Sequence, residues 1–184
     1  IDNVCIVGGG SAGWLAASYL TNQIPQIKFT MIESPTIKRV GVGEASLLGF
    51  IDFIQQCGVQ DESEFLVETK GTFKSGILFK NWTHKERDIW HPFSDFPQYN
   101  EKEHLGDYFS NLQEDYNFLR DHSPYYNHSV LENKVSPNSA YHFDADLLAE
   151  YLKKLNINNL ERYISATVTK INTKDNEINS LELD

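Results

Sequence analysis

The chain begins IDNVCIVGGGSAGW, residues 1–14, and the reading of this stretch decides the fold. Residues 4–7 are a short apolar run of strand type, three glycines follow, and residues 11–21 alternate small and large side chains as a helix packed on a sheet does. Pro25 closes that helix, and KFTMIE, residues 28–33, alternates polar and apolar as a second strand. The first 33 residues therefore read as one βαβ unit, which implies a parallel sheet with a right-handed crossover.

Two motifs overlap on the turn. Gly8, Gly10 and Gly13 satisfy GxGxxG, while Gly9, Ser11 and Gly13 satisfy GxSxG, and both patterns want a strand before and a helix after. A hydrolase elbow takes an oxyanion donor from an earlier strand-to-helix loop, and only seven residues precede this turn. A dinucleotide cradle expects an acid about 20 positions on, at the end of the second strand, and Glu33 stands there. In that reading Gly8 allows the tight turn, Gly10 lets the backbone approach a pyrophosphate and Gly13 lets helix and strand pack closely. Ser11 and Ala12 open the phosphate-facing helix, and Glu33 accepts hydrogen bonds from the adenosine ribose. A plain glycine-rich turn is the bland alternative, and the fingerprint alone does not separate FAD from NAD. A second glycine motif, VGVGEAS at residues 40–46, offers further backbone N–H groups to a cofactor or anion.

With 184 residues, 40% of them hydrophobic, the chain suffices for one compact domain or most of a larger one. Sixteen basic against 26 acidic residues give a net charge of −10 without any basic block, which argues against nucleic acid and for small-molecule chemistry. Cys5 in an apolar strand and Cys57 after a helix form no CxxC and imply no disulfide framework, as in a reducing cytoplasm. No apolar run approaches the ~20 residues of a membrane span, and no signal-type segment precedes the first strand. The expectation is a soluble cytoplasmic protein with no membrane and no nucleic-acid partner.

Further along, residues 47–56 predict a helix, and Asp61 with Glu64 three residues later forms a capping box for another. TFKSGILFKNW, residues 72–82, is aromatic and β-branched enough for one strand, and residues 83–103 read as a long loop. Leu105, Tyr108, Phe109, Leu112, Tyr116 and Leu119 recur at helical spacing, and an irregular stretch covers 123–139. Asp144 caps a helix with the stripe Leu147, Leu148, Tyr151, Leu152 and Leu155. Residues 163–171 and 177–183, joined by TKDN, read as a hairpin. His84, His104, His122 and His128 have no metal-ligand spacing, so no metal is expected.

GGGSAGW at 8–14, IESP at 32–35, GVGEAS at 41–46, TFK at 72–74 with GIxFxNW at 76–82, HPF at 91–93 and AYHFDADLLAEYL at 140–152 occur in this order. Together they closely resemble the flavin-dependent tryptophan halogenase family. The resemblance implies an α/β fold: a Rossmann-like FAD-binding domain of the flavin monooxygenase type, with irregular insertions and a terminal β-hairpin. It implies a single FAD-binding domain over 1–184, incomplete as it stands, with 83–140 as a loop-rich and helical insertion near the substrate side. It implies FAD, reduced by a separate flavin reductase and reaching the protein by diffusion, halide as co-substrate, and an electron-rich aromatic substrate such as tryptophan or indole. Hypohalous acid made at the flavin would travel to a lysine, which in the TFK motif is Lys74; an ammonium hydrogen-bonds the oxidant, and the neutral amine can carry the halogen. His91 and Phe93 match the substrate-flanking HPF segment, where an aromatic ring can sandwich an indole. Gly41, Val42, Gly43, Glu44 and Ala45 match a strap that contacts isoalloxazine or halide, and Tyr141 to Asp144 match a structural lead into a helix. The family's WxWxIP signature is missing, since Trp14, Trp82 and Trp90 do not form it. The 184 residues alone are therefore expected to bind FAD poorly and not to halogenate. The competing readings are an FAD-dependent aromatic hydroxylase and a flavin-binding module without catalysis.

Overall fold

A computed structural model describes residues 1–81, 89–93, 98–100, 103–104 and 139–184. In chain order the elements are β1 (Asn3–Val7), α1 (Ser11–Gln23), β2 (Lys28–Glu33), β3 (Gly43–Ala45), α2 (Phe50–Gln56), α3 (Glu62–Glu68), β4 (Thr72–Lys74) and β5 (Gly76–Phe79). There follow β6 (Ile89–Pro92), β7 (Gln98–Asn100), β8 (Glu103–His104), β9 (Ala140–Asp144), α4 (Ala145–Asn156), a 3-10 turn (Ile157–Asn159), β10 (Arg162–Ser165), β11 (Val168–Lys174) and β12 (Glu177–Leu183). The chain forms two compact units: one of Ile1–Glu44, Gly49–Thr72 and His142–Asp184, the other of Ala45–Leu48 and Phe73–Tyr141.

The larger unit is built on the expected βαβ. β1 pairs parallel with β2, Asn3 opposite Lys28 and Val7 opposite Ile32. α1 buries Trp14, Ala17, Ser18 and Thr21, which matches the small-and-large alternation read in its sequence. Asp144 accepts from the N–H groups of Asp146 and Leu147 at 2.9 and 3.1 Å and so starts α4, whose buried side chains include Leu148, Ala149, Tyr151 and Leu152. Asp61 caps α3 in the same manner, accepting from Ser63 and Glu64. An aromatic cluster closes the core: Phe143 stacks on Phe50 with centroids 5.2 Å apart and meets Phe65 edge-on at 6.2 Å. Asn156 locks three elements together, accepting from Asn22 at 2.8 Å and donating to the Cys57 carbonyl at 3.0 Å. The buried Cys57 thiol is pushed up to about 11 by burial and stays protonated and unreactive.

The C-terminal expectation needs correcting. Residues 163–171 are not one strand. β10 lies parallel on β2, with Tyr163 opposite Met31 and Ser165 opposite Glu33, and gives the sheet the order β1-β2-β10. After Ala166, whose N–H is held by the Glu33 carbonyl, the chain turns into β11, which pairs antiparallel with β12. The hairpin turn has positive φ at Asp175 and Asn176, the backbone of a type I′ turn, as the TKDN sequence demands. A continuous run of strand-forming residues carries no mark of where a strand changes partner, whereas the hydrogen bonds of Ala166 and Thr167 do.

Three further boundaries differ from expectation. The helix expected from residue 47 starts at Phe50, because Gly49 at φ 81° is left-handed and cannot lie inside an α-helix. The strand expected over 72–82 breaks at Ser75 into β4 and β5. The expected loop 83–103 contains β6, antiparallel to β5 with His91 opposite Ile77, and β7, paired with β8. The expected helix over 105–119, most of the irregular stretch after it, Trp82, His84, His122 and His128 lie outside the described residues. Among the described residues no helix is long and apolar enough to cross a membrane, and no cluster of His, Cys, Asp and Glu has the form of a metal site.

Leu152, fully buried on α4, tests this core. Truncation to alanine should cost about 2–5 kcal/mol, read as a lower urea midpoint with an unchanged slope.

Candidate functional site

In the larger unit a cleft of about 280 Å³ is lined by Gly8, Gly9, Gly10, Glu33, Ser34 and Arg39 with neighbouring apolar side chains. Each glycine has a separate task. Gly8, at φ 117°, makes the turn and donates to the Ile32 carbonyl at 2.9 Å. A side chain at Gly13 would collide with the Gly8 carbonyl, so helix and turn approach as closely as the fingerprint requires. Gly10 has open space where a side chain would stand, and as the N-cap of α1 it supplies no side-chain hydrogen bond. The first turn of α1 carries no acid, so its free N–H groups and positive end are left for an external anion. Ser11 and Ala12 form that first turn and do not line the cleft. Gly9, to which the sequence reading gave no role, is the glycine that Glu33 needs: any Cβ there would overlap the Glu33 carboxyl group.

Glu33, 8% exposed, ends β2 and is held by three side chains that no local motif announces. Oε1 accepts from Arg39, which also pairs with Glu150. Oε2 accepts from Lys153 Nζ and from the Tyr163 hydroxyl, each at 2.9 Å. Burial works against the charge of Glu33, but the hydrogen bonds of Lys153, Arg39 and Tyr163 and the Arg39 charge outweigh it and hold the carboxyl below its ordinary range. For Lys153 burial is likewise outweighed, by Tyr163 and Glu33, so the ammonium titrates above its usual range. The fit to a dinucleotide is good: an uncapped helix end for phosphate, a glycine turn with open backbone and an ionised acid at the second strand's end.

Of the GVGEAS segment, Gly41 and Val42 dock on the start of α4. A side chain at Gly41 would strike Asp146, and Ala145 N–H donates to the Val42 carbonyl at 3.1 Å. Gly43, Glu44 and Ala45 are exposed. The buried member of the motif is Ser46, which the reading of individual site residues left out.

In the smaller unit Ser46 is gripped by Tyr141: Ser46 N–H donates to the Tyr141 carbonyl at 2.8 Å, and Tyr141 N–H donates to Ser46 Oγ at 3.0 Å. The Ser46 carbonyl is thereby fixed, and Lys74 Nζ donates to it at 2.9 Å. The same ammonium lies 5.2 Å from the ring centroid of the buried Phe93, and His91 meets Phe93 edge-on at 6.0 Å. Phe93 is itself tied by its N–H to the Ser75 carbonyl, next to Lys74. Lys74 of the TFK motif and His91 and Phe93 of the HPF motif thus form one cluster: a half-buried amine beside an aromatic wall.

The sequence profile described as tryptophan halogenase matches residues 3–184. Tryptophan 7-halogenase KtzQ of Kutzneria sp. (strain 744) is 30% identical over 88% of this chain and 36% of its own length. Tryptophan 7-halogenase RebH of Lentzea aerocolonigenes is 31% identical over 84% of this chain and 34% of its own length. The crystal structure of tryptophan 6-halogenase SttH of Streptomyces toxytricini superposes with a TM-score of 0.81 at 27% identity, covering 100% of this chain and 39% of that one. Xcc4156, a flavin-dependent halogenase from Xanthomonas campestris, does so with a TM-score of 0.78 at 28% identity, again over 100% and 39%. The chain thus spans little more than a third of the length of these relatives.

The Glu33 network sets a pH dependence. Its folded-state carboxyl is depressed, so its stabilisation is complete above the ordinary carboxylate range and disappears as pH falls through the depressed value. The thermal midpoint of the parent should exceed that of Glu33→Gln at neutral pH, and the two curves should converge in acid below about pH 4.

Proposed function

The chain belongs to the tryptophan halogenase family, and from that premise we propose that the protein is an FAD-dependent halogenase of an electron-rich, indole-type aromatic. Halide is its co-substrate, and reduced FAD comes by diffusion from a separate flavin reductase. The observation that carries this reading is the convergence of Ser46 and Phe93, from two other motifs, on the amine of Lys74. Two free cysteines suit the reducing cytoplasm in which we place it.

Reduced FAD, when bound, would supply two electrons to molecular oxygen, the oxidant, so that one oxygen atom passes to halide as hypohalous acid, the other leaves as water and the flavin is left oxidised. The residues of this chain do the rest. Gly8 and Gly10, with Ser11, Ala12 and Gly13 at the start of α1, receive the pyrophosphate, and Glu33 accepts from the ribose. Gly41, Val42, Gly43, Glu44 and Ala45 lie along the isoalloxazine and halide. The Lys74 ammonium has three N–H donors. Among the described residues one is committed to the Ser46 carbonyl, and the others serve to hold and polarise the hypohalous acid. His91 and Phe93 flank the aromatic substrate and keep water from the halogen.

The test uses the complete natural protein with reductase, NADH and FAD on a panel of indoles and phenols, with chloride, with bromide and without halide. A halogenated product should form and should fall by roughly 10²-fold or more in Lys74→Ala. Oxygenated product that forms without halide and survives Lys74→Ala would instead identify a hydroxylase; FAD binding with no product from any substrate would identify a flavin-binding module.

A further inference from the structure

We propose that Lys153 and Tyr163 are positioning residues for the cofactor, acting through Glu33 by fixing its carboxylate before FAD arrives. The inference rests on Glu33 being the ribose acceptor, as in the proposed function. A carboxylate offers about four lone-pair sites. Two on Oε2 are taken by Lys153 and Tyr163, each at 2.9 Å, and one on Oε1 by Arg39. One acceptor site therefore remains, on Oε1, for a ribose hydroxyl.

The donors on Oε2 come from α4 and β10, 120 and 130 residues along the chain from Glu33, and they support each other. Lys153 Nζ donates to the Tyr163 hydroxyl at 2.9 Å while that hydroxyl donates to Glu33. The ammonium also lies 4.7 Å from the Tyr163 ring centroid and 5.9 Å from that of the buried Trp14, so it has little freedom to turn elsewhere. Glu33 lines the glycine cleft, whereas Lys153 and Tyr163 do not; they stand behind it, on the side of α4. An acceptor held in one rotamer and kept ionised by half-buried cations binds with its ordering already complete. With Oε2 released, the carboxylate regains its rotamers and the acceptor on Oε1 no longer faces the cleft for a fixed share of the time.

Binding of oxidised FAD to the complete natural protein, followed by quenching of flavin fluorescence, tests this, with the thermal midpoint of the FAD-free protein measured alongside. Tyr163→Phe removes one oxygen from an otherwise unchanged ring and should raise the Kd for FAD about tenfold, the scale of a hydrogen bond to a charged group. Lys153→Met should raise it at least as much, and Lys153→Arg should restore part of the loss. The double variant Tyr163→Phe, Glu33→Gln should bind no worse than Glu33→Gln alone, because the hydroxyl acts only through that carboxylate. A role confined to stability would lower the thermal midpoint and leave Kd unchanged, which overturns the proposal, as would losses that add in the double variant. Should Lys153→Met not fold, Tyr163→Phe decides. Weak binding by Glu33→Gln with parental binding by Tyr163→Phe and Lys153→Met defeats this inference alone. Parental binding by Glu33→Gln defeats the ribose role and this inference together.

Discussion

A buried carboxylate stays ionised only where cations and hydrogen-bond donors replace the water it has lost, and in this protein that constraint organises the larger unit. Glu33 ends the second parallel strand, where the fold calls for an acid, and its charge is balanced by Arg39 from the following segment and Lys153 from α4. Tyr163, on the third parallel strand, completes the shell. The strand order β1-β2-β10 is thus tied to the electrostatics: β10 must lie against β2 for the Tyr163 hydroxyl to reach Oε2. Gly9 belongs to the same constraint, since the carboxyl occupies the space its side chain would fill.

The smaller unit depends on a different kind of restraint. There the backbone does the holding: the paired hydrogen bonds between Ser46 and Tyr141 immobilise a carbonyl, and that carbonyl immobilises an amine. A backbone acceptor holds the amine without a carboxylate partner at that contact. The aromatic wall of Phe93 adds an attraction that needs no hydrogen bond and so does not consume a donor either.

Elements driven by local chemistry were legible from the residues. The GxGxxG turn, the alternation of KFTMIE, the caps at Asp61 and Asp144 and the positive-φ turn at Asp175 and Asn176 depend on neighbours a few positions away. Where a choice rests on a distant partner, the reading failed. Residues 163–171 look like one strand because β-branched and aromatic residues run through both halves, yet the first half pairs with β2 and the second with β12. The start of α2 was misplaced because nothing in the flanking residues tells that Gly49 adopts the left-handed conformation.

The same division runs through the sites. By itself the sequence singled out the candidate groups: the spacing of the glycine turn pointed to Glu33, and the family resemblance pointed to Lys74 and the HPF aromatics. Only the tertiary structure decided what surrounds them. Arg39, Lys153 and Tyr163 around Glu33, and Ser46 beneath Lys74, come from separate elements, the most distant 130 residues from its partner. Electrostatic compensation and hydrogen bonding act through space over a few ångströms, and a linear spacing carries no record of which residues folding will bring within that range.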